Sequence, residues 1–475
     1  MPLPDNFPVL VFAILVILLA GAVVFYAVVR DPLRFSRLER LAYCYPLGMA
    51  TLAMPMFLAS WAGYHISVMP VLLAIAAGAG IAYAIRRVPP AILWKRNPDA
   101  PRSQPFNEFE WCLLVLIAGC LLVRTMTSLV IPLNDGDGHA VWCFKAKILY
   151  YDTIRTTDYF GRHELNYSNV RYPLLVPFMY AWVSTVAGQW EPLGILILNP
   201  TNLVVFAILL YCTLRRFTVR PIALAVLVML SSLPALMHYA ECAQGDVPLM
   251  LIGGASLFCL FDWVQNRRTD SLILAAFLMG GAVFTKEEGR ILFMAHVTVG
   301  GLSVLWMTSR SCWLAHTKQL GIYIGIVGIM TLPWFLFRQT IVDQSWAWGK
   351  MGISTIQWEH IPTLLNATIQ TAVRFQNNVN LPKWNLLWPL VVLTLLVNWR
   401  QTIRPPWACL LAIWFLHACG VSLVILATPV EPTYDYYEVG FERYTLIMSP
   451  PLWLLLGVGL TRCWEIWHSR LSASE

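Results

Sequence analysis

Phe7-Pro8-Val9-Leu10-Val11-Phe12-Ala13-Ile14-Leu15-Val16-Ile17-Leu18-Leu19-Ala20-Gly21-Ala22-Val23-Val24-Phe25-Tyr26-Ala27-Val28-Val29 holds no charge, and Arg30 follows at once. A helix of about 20 such residues rises roughly 30 Å, the thickness of a bilayer's hydrocarbon core. The run has no basic leader and no small-residue cleavage site, and it is about twice as long as a signal-peptide core. It is therefore expected to be a retained membrane span.

Similar runs recur down the chain. They predict spans at 7–29, 41–61, 66–85, 111–131, 193–214, 221–239, 247–264, 271–285, 290–307, 319–337, 384–399, 407–427 and 445–461. The composition agrees: 58% of the 475 residues are hydrophobic and 12% charged, with mean hydropathy +0.62. A soluble domain of that length needs more charge to cover its surface, and the alternation of a membrane β-barrel is absent. The expected fold class is an all-α integral membrane protein of about 13 transmembrane helices, with juxtamembrane helices on the outer side. Trp61, Trp111, Trp263, Trp306, Trp399 and Trp464 lie near the ends of apolar runs, where interfacial anchors belong. The cysteines fall mostly inside apolar runs without CxxC pairing and read as small core residues.

Charge sets the orientation. Basic residues crowd the loops 30–40, 86–110, 215–220, 265–270, 308–318 and 400–404 and the tail after 461. All of these lie on one side, the cytoplasmic one, if the short apolar stretch 172–188, with Pro173 and Pro177, re-enters or lies at the interface. The N-terminus is then outside and the C-terminus inside. Two parts are expected: residues 1–110, three spans and a cytoplasmic loop, and residues 111–475, a catalytic module with outer loops 132–192, 240–246, 338–383 and 428–444. The net charge of +7 follows largely from the basic inner loops and calls for no nucleic acid.

The stretch richest in chemistry is Asn134-Asp135-Gly136-Asp137-Gly138-His139-Ala140-Val141-Trp142-Cys143-Phe144-Lys145-Ala146-Lys147, directly after the fourth span. Asp137 could simply cap a helix starting near Gly138, and Lys145 and Lys147 could simply meet lipid headgroups. Together, however, a carboxylate and cations at one interface suit a lipid-linked sugar phosphate. The carboxylate takes a proton from the acceptor, and the cations stabilise charge growing on the departing phosphate. Glu241 and Asp246, with Asp135 or Asp137, offer oxygen ligands that suit Mg²⁺ or Mn²⁺, although Lys and Arg alone could neutralise the phosphate, and metal-independent transfer is the expectation. Arg124, inside the fourth span, is expected to pair with an acidic residue or to touch substrate. Trp346, Trp348, Trp358 and Lys350 in the third outer loop fit interfacial packing or a sugar platform.

An acidic residue just after a span, then Trp142 and Lys145-Ala146-Lys147, then Arg171-Tyr172-Pro173-Leu174-Leu175-Val176-Pro177, resembles the first outer loop of GT-C glycosyltransferases. These are polytopic enzymes that include oligosaccharyltransferases, protein O-mannosyltransferases and lipid A aminoarabinose transferases. The resemblance runs from about Trp111 to Arg462. It takes in Gly245-Asp246, Thr285-Lys286-Glu287-Glu288-Gly289 and Glu442-Arg443-Tyr444.

The resemblance implies an inverting glycosyltransferase that draws on an undecaprenyl- or decaprenyl-phosphate sugar. It would act as a monomer at the periplasmic face of a bacterial inner membrane. Asp137, with Asp135 as its rival, is implied as general base. Lys145, Lys147, Lys286 and Arg443 are implied for the phosphate, and Arg171, Tyr172 and Glu287 for substrate binding. The acceptor, an envelope glycan, glycolipid or protein, stays open, because the chain adds three N-terminal spans to the pattern and shows no sizeable soluble C-terminal domain. A secondary transporter or lipid flippase is the rival reading, but such proteins carry internal repeats and mid-membrane ion sites. Here no repeat is found and the charges gather at one interface. An O-antigen ligase or polymerase, working from a diphosphate carrier, is the third reading.

Overall fold

The computed structural model describes residues 7–86, 104–130, 133, 135–341, 353–373, 384, 386–428 and 434–472. Among these residues it is helical throughout, with no strand. The first helices are α1 (Phe7–Val28), α2 (Arg37–Ala62), α3 (Val68–Arg86) and α4 (Glu108–Val130). Two short helices, α5 (Phe144–Tyr151) and α6 (Leu175–Ala187), lead to α7 (Pro192–Leu214), α8 (Arg220–Ser231) and α9 (Pro234–Glu241). Next come α10 (Asp246–Asn266), α11 (Thr269–Thr285), α12 (Glu288–Met307) and α13 (Trp313–Thr340). The last group is α14 (Ile361–Val373), α15 (Leu387–Val397), α16 (Trp399–Thr402), α17 (Trp407–Leu426) and α18 (Tyr434–Ser472). Trp346, Trp348 and Lys350 lie outside the described residues.

Each of the thirteen expected spans is helical, but the count of thirteen is not established. Nine helices among the described residues are long and apolar enough to cross a bilayer, and α8 with α9, bent by 59° at their break, would make ten. The expected spans at 66–85, 271–285 and 384–399 fall on apolar helices of only 10–17 residues: Val68–Ala84, Thr269–Thr285 and Leu387–Val397. Proline explains the broken span, since Pro234 cannot donate the backbone bond that would continue α8.

The central helix is α10. It is buried from Asp246 to Val264 and packs against α2, α7, α11, α12 and α18. Both of its ends carry charge. Near its C-terminal end Asp262 lies within 3.9 Å of Arg34 and of Arg216, Arg34 also binds Asp270 at 3.1 Å, and Arg216 also pairs with buried Glu39. Beside this cluster Arg220 reaches Glu110 at the start of α4. The described parts of the loops expected on the inner side, 30–40, 104–110, 215–220 and 265–270, therefore meet at one end of the bundle. At the opposite end α4 pairs with α9 through Arg124 and Glu241 at 2.6 Å, and α7 meets the turn after α9 through Asn199. The chain thus leaves α4 and enters α7 at the same end, and α6 lies within that return.

Helices in a bilayer gain little from hydrophobic association, so close backbone packing carries much of their cohesion. The approach of α1 to α2 shows it: a Cβ on Gly48 would fall 1.8 Å from the carbonyl oxygen of Ile17. No side chain fits there.

Candidate functional site

The first loop begins with a π-helical turn over Gly138–Cys143 that leads into α5. Its cap is Asp135, not Asp137. The Gly138 N–H donates to Asp135 Oδ2 at 2.6 Å, and Gln244 Nε2 donates to the same oxygen at 2.8 Å. Asp137 stands at the cap position without a capping bond, and its side chain turns to another element. The alternative in which Asp137 merely caps this helix does not hold: the residue two places earlier reaches the exposed N–H.

Arg443 in α18 donates from Nη1 to Asp137 Oδ2 at 2.6 Å and from Nη2 to Asp246 Oδ2 at 3.1 Å. Asp246 opens α10 and is fully buried; its other oxygen accepts from Lys286 Nζ at 2.7 Å. Lys286 also lies 3.0 Å from Glu288, and its ammonium stands over the Tyr444 ring. One chain of charges, Asp137–Arg443–Asp246–Lys286–Glu288, thereby joins four segments that are distant in sequence. Side-chain exposure falls from 45% at Asp137 to 2% at Lys286. Asp137 is the part of the chain open to a ligand, while Lys286 faces carboxylates on both sides.

Gly245 lets this geometry form. A Cβ there would come within 2.7 Å of Trp142 Cη2, so the first-loop tryptophan packs directly on the turn that presents Asp246. Lys145, one turn along from Trp142, is also buried. Its Nζ donates to Asn169 O at 2.6 Å and lies 5.3 Å from the Tyr172 ring centroid. Burial pulls its pKa well below the ordinary lysine range. Asn169 holds a left-handed φ of 50°, so Lys145 clamps the turn from which Arg171 and Tyr172 emerge. Burial, then the charge of Glu288, pushes the Tyr172 phenol upward, and the charges of Asp137, Asp246 and Arg443 also act on it. Lys147 is exposed.

Glu287 points away from this network. It accepts from Arg290 and lies 3.2 Å from Arg338 near the end of α13. The positive charge of Arg171 is felt at both arginines. Glu287, Arg290 and Arg338 therefore form a second cluster beside the first, and the consecutive pair Glu287-Glu288 links the two. Sequence reasoning did not single out Arg290 and Arg338, which flank apolar runs. Their signal was position: both sit at the helix ends that also carry Lys286 and Glu287.

The four carboxylates weighed as metal ligands are dispersed among other partners. Asp135 caps and holds Gln244, Asp137 and Asp246 hold Arg443, and Glu241 holds Arg124. Among the described residues no three His, Cys, Asp or Glu side chains gather as a metal site.

A helical bundle in which nine helices among the described residues are long and apolar enough to cross a bilayer, with a chain of paired charges at one end, defines the class: a multi-pass membrane protein. Residues 171–336, roughly a third of the chain, match the family model described as dolichyl-phosphate-mannose-protein mannosyltransferase, which marks a glycosyltransferase domain. The match takes in Arg171, Tyr172, Asp246, Lys286, Glu287, Glu288 and Arg290. No curated protein gives a significant match to the chain.

Proposed function

We propose that the protein is an inverting glycosyltransferase that moves a sugar from a polyprenyl-phosphate carrier to an envelope glycan, glycolipid or protein at the outer face of a bacterial inner membrane. The observation that carries the reading is the Asp137–Arg443 pair: the most exposed carboxylate of the network, held through one oxygen, Oδ2, by a guanidinium 306 residues away. Its other oxygen has no partner among the described residues and is the one that meets the acceptor.

In this reading the acceptor hydroxyl attacks the anomeric carbon from the side of Asp137, and its proton passes to Oδ1. The new C–O bond forms as the bond from the anomeric carbon to the phosphate oxygen breaks, with its electron pair on the phosphate. The prenyl tail stays in the bilayer and keeps the phosphate at headgroup level, and the reading has Arg171, Lys147 and Arg443 meet it there. Charge neutralisation falls to these cations, with no metal required. Asp135 holds the loop instead of taking the proton, and Lys145 and Lys286 hold the frame. A transporter would place its polar groups at mid-membrane between repeats; this network lies at the helix ends.

The test is transfer of sugar from a polyprenyl-phosphate donor by the purified full chain. Asp137→Asn should bind donor yet transfer roughly 10²–10⁴-fold more slowly. Asp135→Asn keeps an oxygen for the Gly138 N–H and should retain most activity. Near-normal transfer by Asp137→Asn with Asp135→Asn inactive would exchange their roles, and near-normal transfer by both would remove the mechanism.

A further inference from the structure

Pro450 and Pro451 stand inside α18, within its candidate span. In a helix each carbonyl accepts from the N–H four residues on, and proline has none to give. Two carbonyls are affected, those of Leu446 and Ile447. Leu446 is served by Ser449 Oγ, which donates to it at 2.8 Å. Ile447 faces the lack twice, because the residues three and four places ahead of it are both proline. Two side chains of α17 share its situation. Trp414 Nε1 and His417 Nε2 are buried and have no partner among the described residues. His417 donates through its other nitrogen to the backbone carbonyl of Glu288, so Nε2 keeps its lone pair and can only accept.

Ile447, Trp414 and His417 line one cavity. It lies among α10, α12, α17 and α18, four helices long and apolar enough to cross a bilayer. The room inside is about 10 Å³, the size of site that takes a single water. Gly253 of α10 keeps it open. A Cβ there would come within 2.7 Å of Leu292 Cδ2, and Leu292 lines the same cavity.

We infer that this cavity binds one water molecule, which accepts from Trp414 Nε1–H and donates its two hydrogens to the Ile447 carbonyl and to His417 Nε2. One donor and two acceptors match what a water offers, and three bonds are usual for a buried one. A metal cation does not fit, because the indole nitrogen presents a hydrogen and no lone pair. An apolar occupant would leave all three groups unsatisfied in the hydrocarbon region, where water cannot otherwise reach them. Ordered water is one of the means by which a membrane helix carries proline. The bound water ties α17 to α18. Through His417 and Glu288 it also ties the bundle's interior to the charge network, to which α18 contributes Arg443. The site is independent of the transferase reading.

The test is a structure of the purified full chain in a lipid nanodisc, determined finely enough to show ordered water, together with melting temperatures of variants. The wild type should show one density peak about 2.7–3.2 Å from Trp414 Nε1, His417 Nε2 and the Ile447 oxygen. Trp414→Phe keeps an aromatic ring, deletes the donor and should lower Tm. Gly253→Ala leaves all three polar groups in place but fills the cavity, so it should lose the peak and also lower Tm. The double variant should melt little below the worse single variant, because both changes act on the same water. A wild-type cavity without the peak, a peak that misses any of the three atoms, an unchanged Tm in Trp414→Phe or additive losses in the double variant overturns the proposal. The wild-type density decides the matter even where a variant fails to fold.

Discussion

Replacing Lys286 with methionine removes the cation from the most buried part of the charge network. Its ammonium makes contacts of 2.7 Å to Asp246 and 3.0 Å to Glu288, with side chains only 2%, 0% and 10% exposed. Breaking a buried pair by removing one partner costs about 3–5 kcal/mol, because the other charge is left without compensation. Asp246 keeps Arg443 at 3.1 Å, so the loss falls mainly on Glu288, and about 3 kcal/mol is the expected size. Thermal unfolding in detergent, followed through tryptophan fluorescence, reads it as a clear drop in Tm. The double variant Lys286→Met with Glu288→Gln restores the net charge and should recover more than half of the loss. The non-additivity between the two sites is the diagnostic quantity. Wild-type stability in the single variant, or a double variant no more stable than the single, would refute the reasoning. The lysine would then be available to substrate, as its place in the sequence suggested.

Lys145 makes a pH prediction. Its folded pKa lies below that of the unfolded chain, so between that lowered value and the ordinary lysine value of about 10.4 the unfolded state holds more protons. Stability should rise with pH across that window, and Lys145→Met should flatten the rise when Tm is followed from neutral pH upward; identical slopes would show that the buried amine does not titrate there. Gly48→Ala should destabilise the bundle by about 1–3 kcal/mol, since its Cβ would meet the Ile17 carbonyl, while Gly80→Ala, with nothing within 4 Å, should not. Equal melting temperatures for those two variants would argue against the tight α1–α2 contact.

Helix positions were legible because apolar length decides them: the segments read as spans are helical among the described residues, with 221–239 broken into two helices. Their status as spans was less legible, because length alone cannot say whether an 11-residue helix such as Leu387–Val397 crosses or ends within the bundle. For the site, the sequence placed Asp137, Asp246, Lys286 and Arg443 in neighbouring loops through a shared end of the bundle. It held no information on which of them pair. Lys145 and Lys147 look alike in the chain, yet two residues on a helix point to different sides, and only Lys145 turns inward beneath Tyr172. Asp135 and Asp137 raise the same problem in a turn: which carboxylate caps depends on backbone geometry that spacing does not reveal.

The wide separation of the paired residues has a consequence for how the protein is made. Asp246 meets Lys286 after 40 further residues, but Arg443 only after 197. A chain emerging from its N-terminus would insert α10 with a bare carboxylate at its edge, neutralise that carboxylate first with Lys286, and close on Asp137 only when the last long helix arrives. The charge network therefore cannot close in any nascent or truncated form that stops short of α18, because Arg443 alone joins Asp137 to Asp246.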